Sequence, residues 1–141
     1  MRPQSIIWFE RLYVLALILG LVSTWQNWST RADLLRASDA TANLAWLGPA
    51  STVVGLAIAL TLLYLVARRA SVVAKWIVVV LAGWGAVLLA ILLVGLVRGT
   101  GAPLLIAVGV AQNIAYIAAA AMLFRADARA WFGEAPAETA A

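Results

Sequence analysis

The chain has 141 residues, of which 65% are hydrophobic and 11% charged, and its formal net charge is +4. Soluble domains are roughly 45–50% apolar and about 25% charged, so these proportions leave too few groups to face water and exclude an ordinary soluble fold. Cysteine and histidine are both absent, which excludes disulfides, thiol nucleophiles, Cys–His metal sites and imidazole acid–base catalysis.

Four stretches carry no charge: residues 12–30, 40–67, 76–97 and 99–124. Each is close to the roughly 20 apolar residues that a helix needs to cross a bilayer. All ten basic and six acidic residues lie outside them. The pattern predicts an all-α integral membrane bundle of four transmembrane helices, one domain over residues 1–132. The basic residues flank the spans, so they read as topogenic charge at a membrane surface. The implied partner is the lipid bilayer, and no nucleic acid is implied.

Span one is expected over residues 6–25. Arg2 ahead of an apolar run has the look of a signal peptide, but Glu10 and Arg11 interrupt it and no small-x-small site follows. Trp25 and Trp28 form an interfacial anchor pair, so the span reads as retained. Residues 29–36 combine a capping serine, an acid in the first turn and paired leucines, which predicts a short outer amphipathic helix between spans one and two. Residues 38–43 read as a turn.

Span two is expected over 49–67, starting at Pro49, whose missing N–H is harmless in a first helical turn, and stopping at Arg68 and Arg69. Ser71 is the expected N-cap of span three, 72–97. Residues 100–103 then turn the chain into span four, 103–124. Residues 125–132 are expected to continue that helix, with Arg125 and Arg129 four residues apart. The tail 133–141 is small and acidic and is expected to be disordered.

Counting basic residues by side gives the orientation. With the N-terminus inside, seven (Arg2, Arg11, Arg68, Arg69, Lys75, Arg125, Arg129) fall on the cytoplasmic side and three (Arg31, Arg36, Arg98) outside. This predicts N-in and C-in. Trp8, Trp76 and Trp131 then lie at the inner boundary, and Trp25, Trp28 and Trp46 at the outer one.

Polar residues within spans are costly and therefore informative. Gln112 and Asn113 are the deepest amides. Tyr116 shares a face with Asn113, and Thr61, Tyr64 and Tyr13 fall in the cytoplasmic half, with Glu10 just below. These seven are the candidate polar pocket, suited to a lipid or small amphiphile. The competing reading is interhelical packing at roughly 0.6 kcal/mol per hydrogen bond, and uncharged intramembrane amides favour it. Gln112 and Asn113 point about 100° apart on a helix, so both cannot serve one pocket. Span three carries only apolar side chains and Trp84 between Ile77 and Val97, which predicts that it is the most lipid-exposed or an oligomer face.

Glu10 is the one carboxylate within reach of a span. Small multidrug-resistance exporters also have four spans and an essential glutamate in the first. Here Glu10 sits at the helix entrance beside Arg11 and the surrounding residues do not match that pattern, so a surface ion pair with Arg11 or Lys75 is favoured. Arg68, Arg69, Lys75, Arg125 and Arg129 are candidate contacts for anionic head groups.

Trp8-Phe-Glu-Arg-Leu12, Val73-Ala-Lys-Trp-Ile77 and Arg125-Ala-Asp-Ala-Arg-Ala-Trp-Phe132 resemble a group of small bacterial four-span proteins with no known activity. The resemblance implies a bacterial inner-membrane location and no mechanism. That group is expected to carry a proline where Ala126 stands, so here the fourth helix should run more smoothly into the segment after it. No catalytic constellation, metal site or cofactor motif is visible. The function expected is a non-enzymatic structural or accessory subunit, packing against itself as a homo-oligomer or against a larger membrane complex. The alternative is an oligomeric small transporter or amphiphile-binding protein with its polar site in the cytoplasmic half.

Overall fold

The computed structural model describes residues 2–29, 33, 46–99 and 103–134. Among them the regular elements are all helical: α1 (Gln4–Gln26), α2 (Leu47–Arg69), α3 (Val72–Val97), α4 (Pro103–Met122) and α5 (Ala126–Trp131). The first four are long and apolar enough to cross a membrane, so the chain forms a multi-pass membrane bundle. At about 1.5 Å per residue they measure roughly 30–39 Å. A helix suits that setting because it satisfies its backbone polar groups internally where no water is at hand. The expected outer amphipathic helix and the turn after it fall almost wholly on residues outside those described.

The boundaries follow from local chemistry. Pro3 opens α1 with φ −61°, and its carbonyl accepts from the N–H groups of Ile6 and Ile7. Pro49 lies in the first turn of α2. The α2–α3 connection is only Ala70 and Ser71. Ala70 takes the left-handed conformation at φ 48°, and the Ser71 N–H closes the turn on the Leu65 carbonyl at 3.1 Å. Ser71 Oγ then accepts the Ala74 N–H at 3.3 Å and starts α3.

The four long helices run antiparallel in sequence order. One end of the bundle gathers the start of α1, the end of α2, the start of α3 and α5; this is called the latched end below. α4 packs chiefly against α1 and α3, while α2 leans on α1 and α3 only lightly. The sequence predicts span three as the most lipid-exposed or an oligomer face; most of α3 is exposed, as is most of α2, but α3 also keeps one packed stripe. Ala74, Val78, Ala82 and Gly85 of α3 are buried, and Leu92 of α3 sits over Gly109 of α4.

The core is one-sided. Ile6, Phe9 and Tyr13 of α1 meet Leu62 and Val66 of α2, Ala74 and Val78 of α3 and Ala119 and Leu123 of α4 at or near the latched end. From Leu47 to Thr61 no residue of α2 is buried, and none of α1 is buried after Ala16. Small residues permit the close approach: Ala119 and Ala120 make the last part of α4 thin enough for its neighbours to close on it. Trp8 and Trp76 stand exposed at the latched end and Trp25, Trp28 and Trp46 at the far end, an aromatic belt at each boundary.

α4 does not continue through residues 125–132 as its sequence suggests. The chain unwinds over Leu123–Arg125, with Phe124 N–H bonding to the Ala121 carbonyl and Arg125 N–H to that of Met122. Arg125 is extended at ψ 154° and α5 starts anew. The break carries α5 back across the bundle end, where Leu123, Ala128 and Phe132 are buried. A straight continuation would leave those side chains in the interface.

Candidate functional site: a latched end and an open slot

α5 and the residues just after it join three helices through three polar contacts. Asp127 Oδ2 accepts the Ser5 N–H at 3.0 Å. Pro3, at the N-cap of α1, makes no side-chain capping bond, so a carboxylate from the other end of the chain fills that role. It sits where a helix N-terminus favours negative charge. This hydrogen bond holds the Asp127 carboxyl below its ordinary value of 3.8. Trp131 Nε1 donates to the Val66 carbonyl at 3.2 Å in the last turn of α2. Lys75 Nζ donates to the Glu134 carboxylate.

The Lys75 ammonium is nearly sealed, its side chain 2% exposed. It lies 5.0 Å from the Phe132 ring centroid, 5.1 Å from Phe124 and 6.0 Å from Trp76. Cation–π attraction and one carboxylate therefore replace the water it has lost. Gly133 at φ 70° ends α5, and the Glu134 N–H bonds back to the Arg129 carbonyl at 2.9 Å, which aims Glu134 at Lys75. The tail expected to be disordered from residue 133 is thus placed at Gly133 and Glu134; residues 135–141 lie outside the described ones.

Of the seven residues in the candidate pocket, the structure brings together Tyr13 and Tyr116, whose rings lie 5.2 Å apart in a stack continued by Phe9. The others diverge. Glu10 pairs with Arg2 at 2.8 Å and Arg68 at 3.7 Å, not with Arg11 or Lys75, because Arg11 lies over Trp8 and Lys75 belongs to Glu134. The Thr61 hydroxyl donates to the Ala57 carbonyl of its own helix at 2.8 Å and faces outward. Tyr64 is 53% exposed. The two amides separate as their 100° offset requires. Asn113 donates to the Gly109 carbonyl at 2.8 Å and abuts Gly85 of α3, while Gln112 abuts Gly20 of α1.

Among the head-group candidates, Arg68, Arg69, Arg125 and Arg129 are exposed. Lys75 is not, because the aromatic rings and Glu134 close over it. Sequence reasoning missed Asp127, Trp131 and Glu134 as contacts. The one sequence signal was the missing capping side chain ahead of α1, which does not say what supplies the cap.

On the other side of the aromatic stack, α1 and α2 part to leave a slot of about 290 Å³. Its walls are Ala16, Leu17, Gly20, Leu21 and Thr24 from α1 and Ser51, Thr52, Gly55 and Leu56 from α2, and α4 contributes only Gln112. The Ser51 and Thr52 hydroxyls donate to the Gly48 carbonyl at 2.9 and 3.1 Å, which leaves their lone pairs free to accept. The Gln112 amide has no hydrogen-bond partner among the described residues. Comparison with family models, curated proteins and solved structures found no significant match for this chain.

Proposed function

We propose that this chain is a non-enzymatic membrane subunit that works by packing its helices against a second copy of itself or a larger membrane assembly. The observation that supports this reading most is the bare half of α2. From Leu47 to Thr61 no residue is fully buried within the chain, and Val53, Val54 and Ile58 are 68%, 57% and 54% exposed. Helices associate in lipid through close packing of small side chains rather than through a hydrophobic drive, and Gly55 offers open space beside these residues. The fate of the polar residues agrees with this reading. Thr61 and Asn113 bond to their own helices and Glu10 is held by arginines, so among the described residues the inner half presents no free acid, base or nucleophile cluster.

The proposed setting is a bacterial inner membrane with both termini cytoplasmic, which places the latched end and its exposed arginines at the cytoplasmic surface. Because the chain contains no cysteine, single cysteines at Val54 or Ile58 report directly on proximity. The expected result in native membranes is a disulfide-linked dimer or a discrete larger adduct from α2 positions and none from Val80 on α3. A monomer in mild detergent, together with no cross-link from either α2 position, would falsify the proposal.

A further inference from the structure

The slot between α1 and α2 goes beyond helix packing, because it contains an intramembrane amide without a partner among the described residues. Gln112 stands nine residues from Pro103 and ten from Met122, which puts it roughly 14–15 Å from either end of α4, near mid-membrane. An unsatisfied amide at that depth is costly. The surroundings keep it so: a Cβ on Gly20 would come within 2.9 Å of Gln112 Nε2, so the glycine makes room for the amide beside the slot. The Thr24 hydroxyl likewise has no partner among the described residues. Ser51 and Thr52 add acceptor oxygens on the opposite wall.

No charged side chain lines the slot. A phospholipid head group is anchored at the bilayer surface, about 15 Å above Gln112, so its charge does not reach this depth. A slot of about 290 Å³ has room for a thin linear molecule rather than for another helix, which is about 10 Å across. We propose that the slot binds an uncharged amphiphile, a long apolar molecule whose hydroxyl, ester, amide or ketone hydrogen-bonds to Gln112.

The test uses the full chain in phosphatidylethanolamine–phosphatidylglycerol vesicles with three diazirine probes of equal chain length: a monoacylglycerol, a phosphatidylethanolamine and a plain alkane. The monoacylglycerol is expected to label residues 16–24 and 51–56 at least five-fold more than the other two. Gln112→Leu removes the amide, and Gly55→Leu fills the slot at a position where a Cβ meets nothing within 4 Å. Both are expected to reduce this labelling to the level of the alkane, with Gly55→Leu keeping the helical circular dichroism and elution volume of the parent. Equal labelling by the three probes, or labelling unchanged in Gly55→Leu, overturns the proposal in favour of ordinary lipid contact. A copy-to-copy cross-link through the slot that Gln112→Leu abolishes overturns it in favour of a helix partner.

Discussion

Ser5 and Asp127 are 122 positions apart in the chain, yet the backbone N–H of one bonds to the carboxylate of the other at 3.0 Å. The first turn of α1 is therefore capped by α5, and the carboxylate takes the place that a local serine or aspartate usually fills. Asp127→Ala is expected to lower the thermal midpoint in detergent. Asp127→Asn is expected to do so by less, because an amide oxygen still accepts the bond. The sign of the pH effect follows from the depressed carboxyl. The stabilisation is present above the ordinary value of 3.8 and is lost as pH falls through the lower folded value. Thermal melts between pH 6 and pH 2 should show an acid-dependent loss in the parent that is reduced in Asp127→Ala.

Lys75 and Glu134 make a second measurable pair. Glu134→Gln leaves a cation enclosed by rings with no counter-charge, a change that costs 3–5 kcal/mol when both partners are fully buried. The Glu134 side chain is 30% exposed, so about 2 kcal/mol is expected. Lys75→Met with Glu134→Gln removes both charges and should recover most of that loss. Denaturant titration of the two single variants and the double variant closes the cycle. Additive losses would mean that the pair is not coupled.

Ala70 holds a left-handed conformation that costs a residue with a Cβ roughly 1–2 kcal/mol. Glycine takes the same conformation without that strain but loses more chain entropy on folding. The net expectation for Ala70→Gly is a gain of about 0.5–1 kcal/mol, read as a higher unfolding midpoint with no change in elution volume.

The two glycines that face amides should respond oppositely to alanine. Alanine in a helix is favoured over glycine by about 1 kcal/mol, and at both sites its Cβ lies 2.9 Å from an amide atom. In Gly20→Ala the long, unpartnered Gln112 amide swings aside, so the variant is expected to match or exceed the parent. In Gly85→Ala the contact is Asn113 Oδ1, whose amide is held by the Gly109 carbonyl. Moving it forfeits that bond, and a net loss of about 1 kcal/mol is expected. Asn113→Ala in the Gly85→Ala background should restore stability.

The spans were legible because apolar length dictates them: α2, α3 and α4 end within two residues of the ends of their uncharged runs. The divergence of Gln112 and Asn113 was legible from helical geometry alone, and so was the Ser71 cap. The pocket was not. Hydropathy places Thr61 at a depth but does not say that its hydroxyl will turn to Ala57, and it cannot show that Tyr64 points away from the bundle. Lys75 reads as a surface charge because the carboxylate and rings that bury it come from residues 124–134. The break after Met122 was hidden for the same reason. What bends the chain there is the packing of Leu123, Ala128 and Phe132 at the bundle end, which has no local signature.

The clasp made by α5 also sets an order of assembly. Asp127, Trp131 and Glu134 leave the ribosome only after all four long helices have been made, and at 5–20 residues per second Asp127 follows Ser5 by about 6–24 s. During that interval α1 enters the membrane with its first turn open and Lys75 without its carboxylate. The bundle end is therefore assembled early but fastened late, so the chain has time to sort its helices before the last segment fixes them.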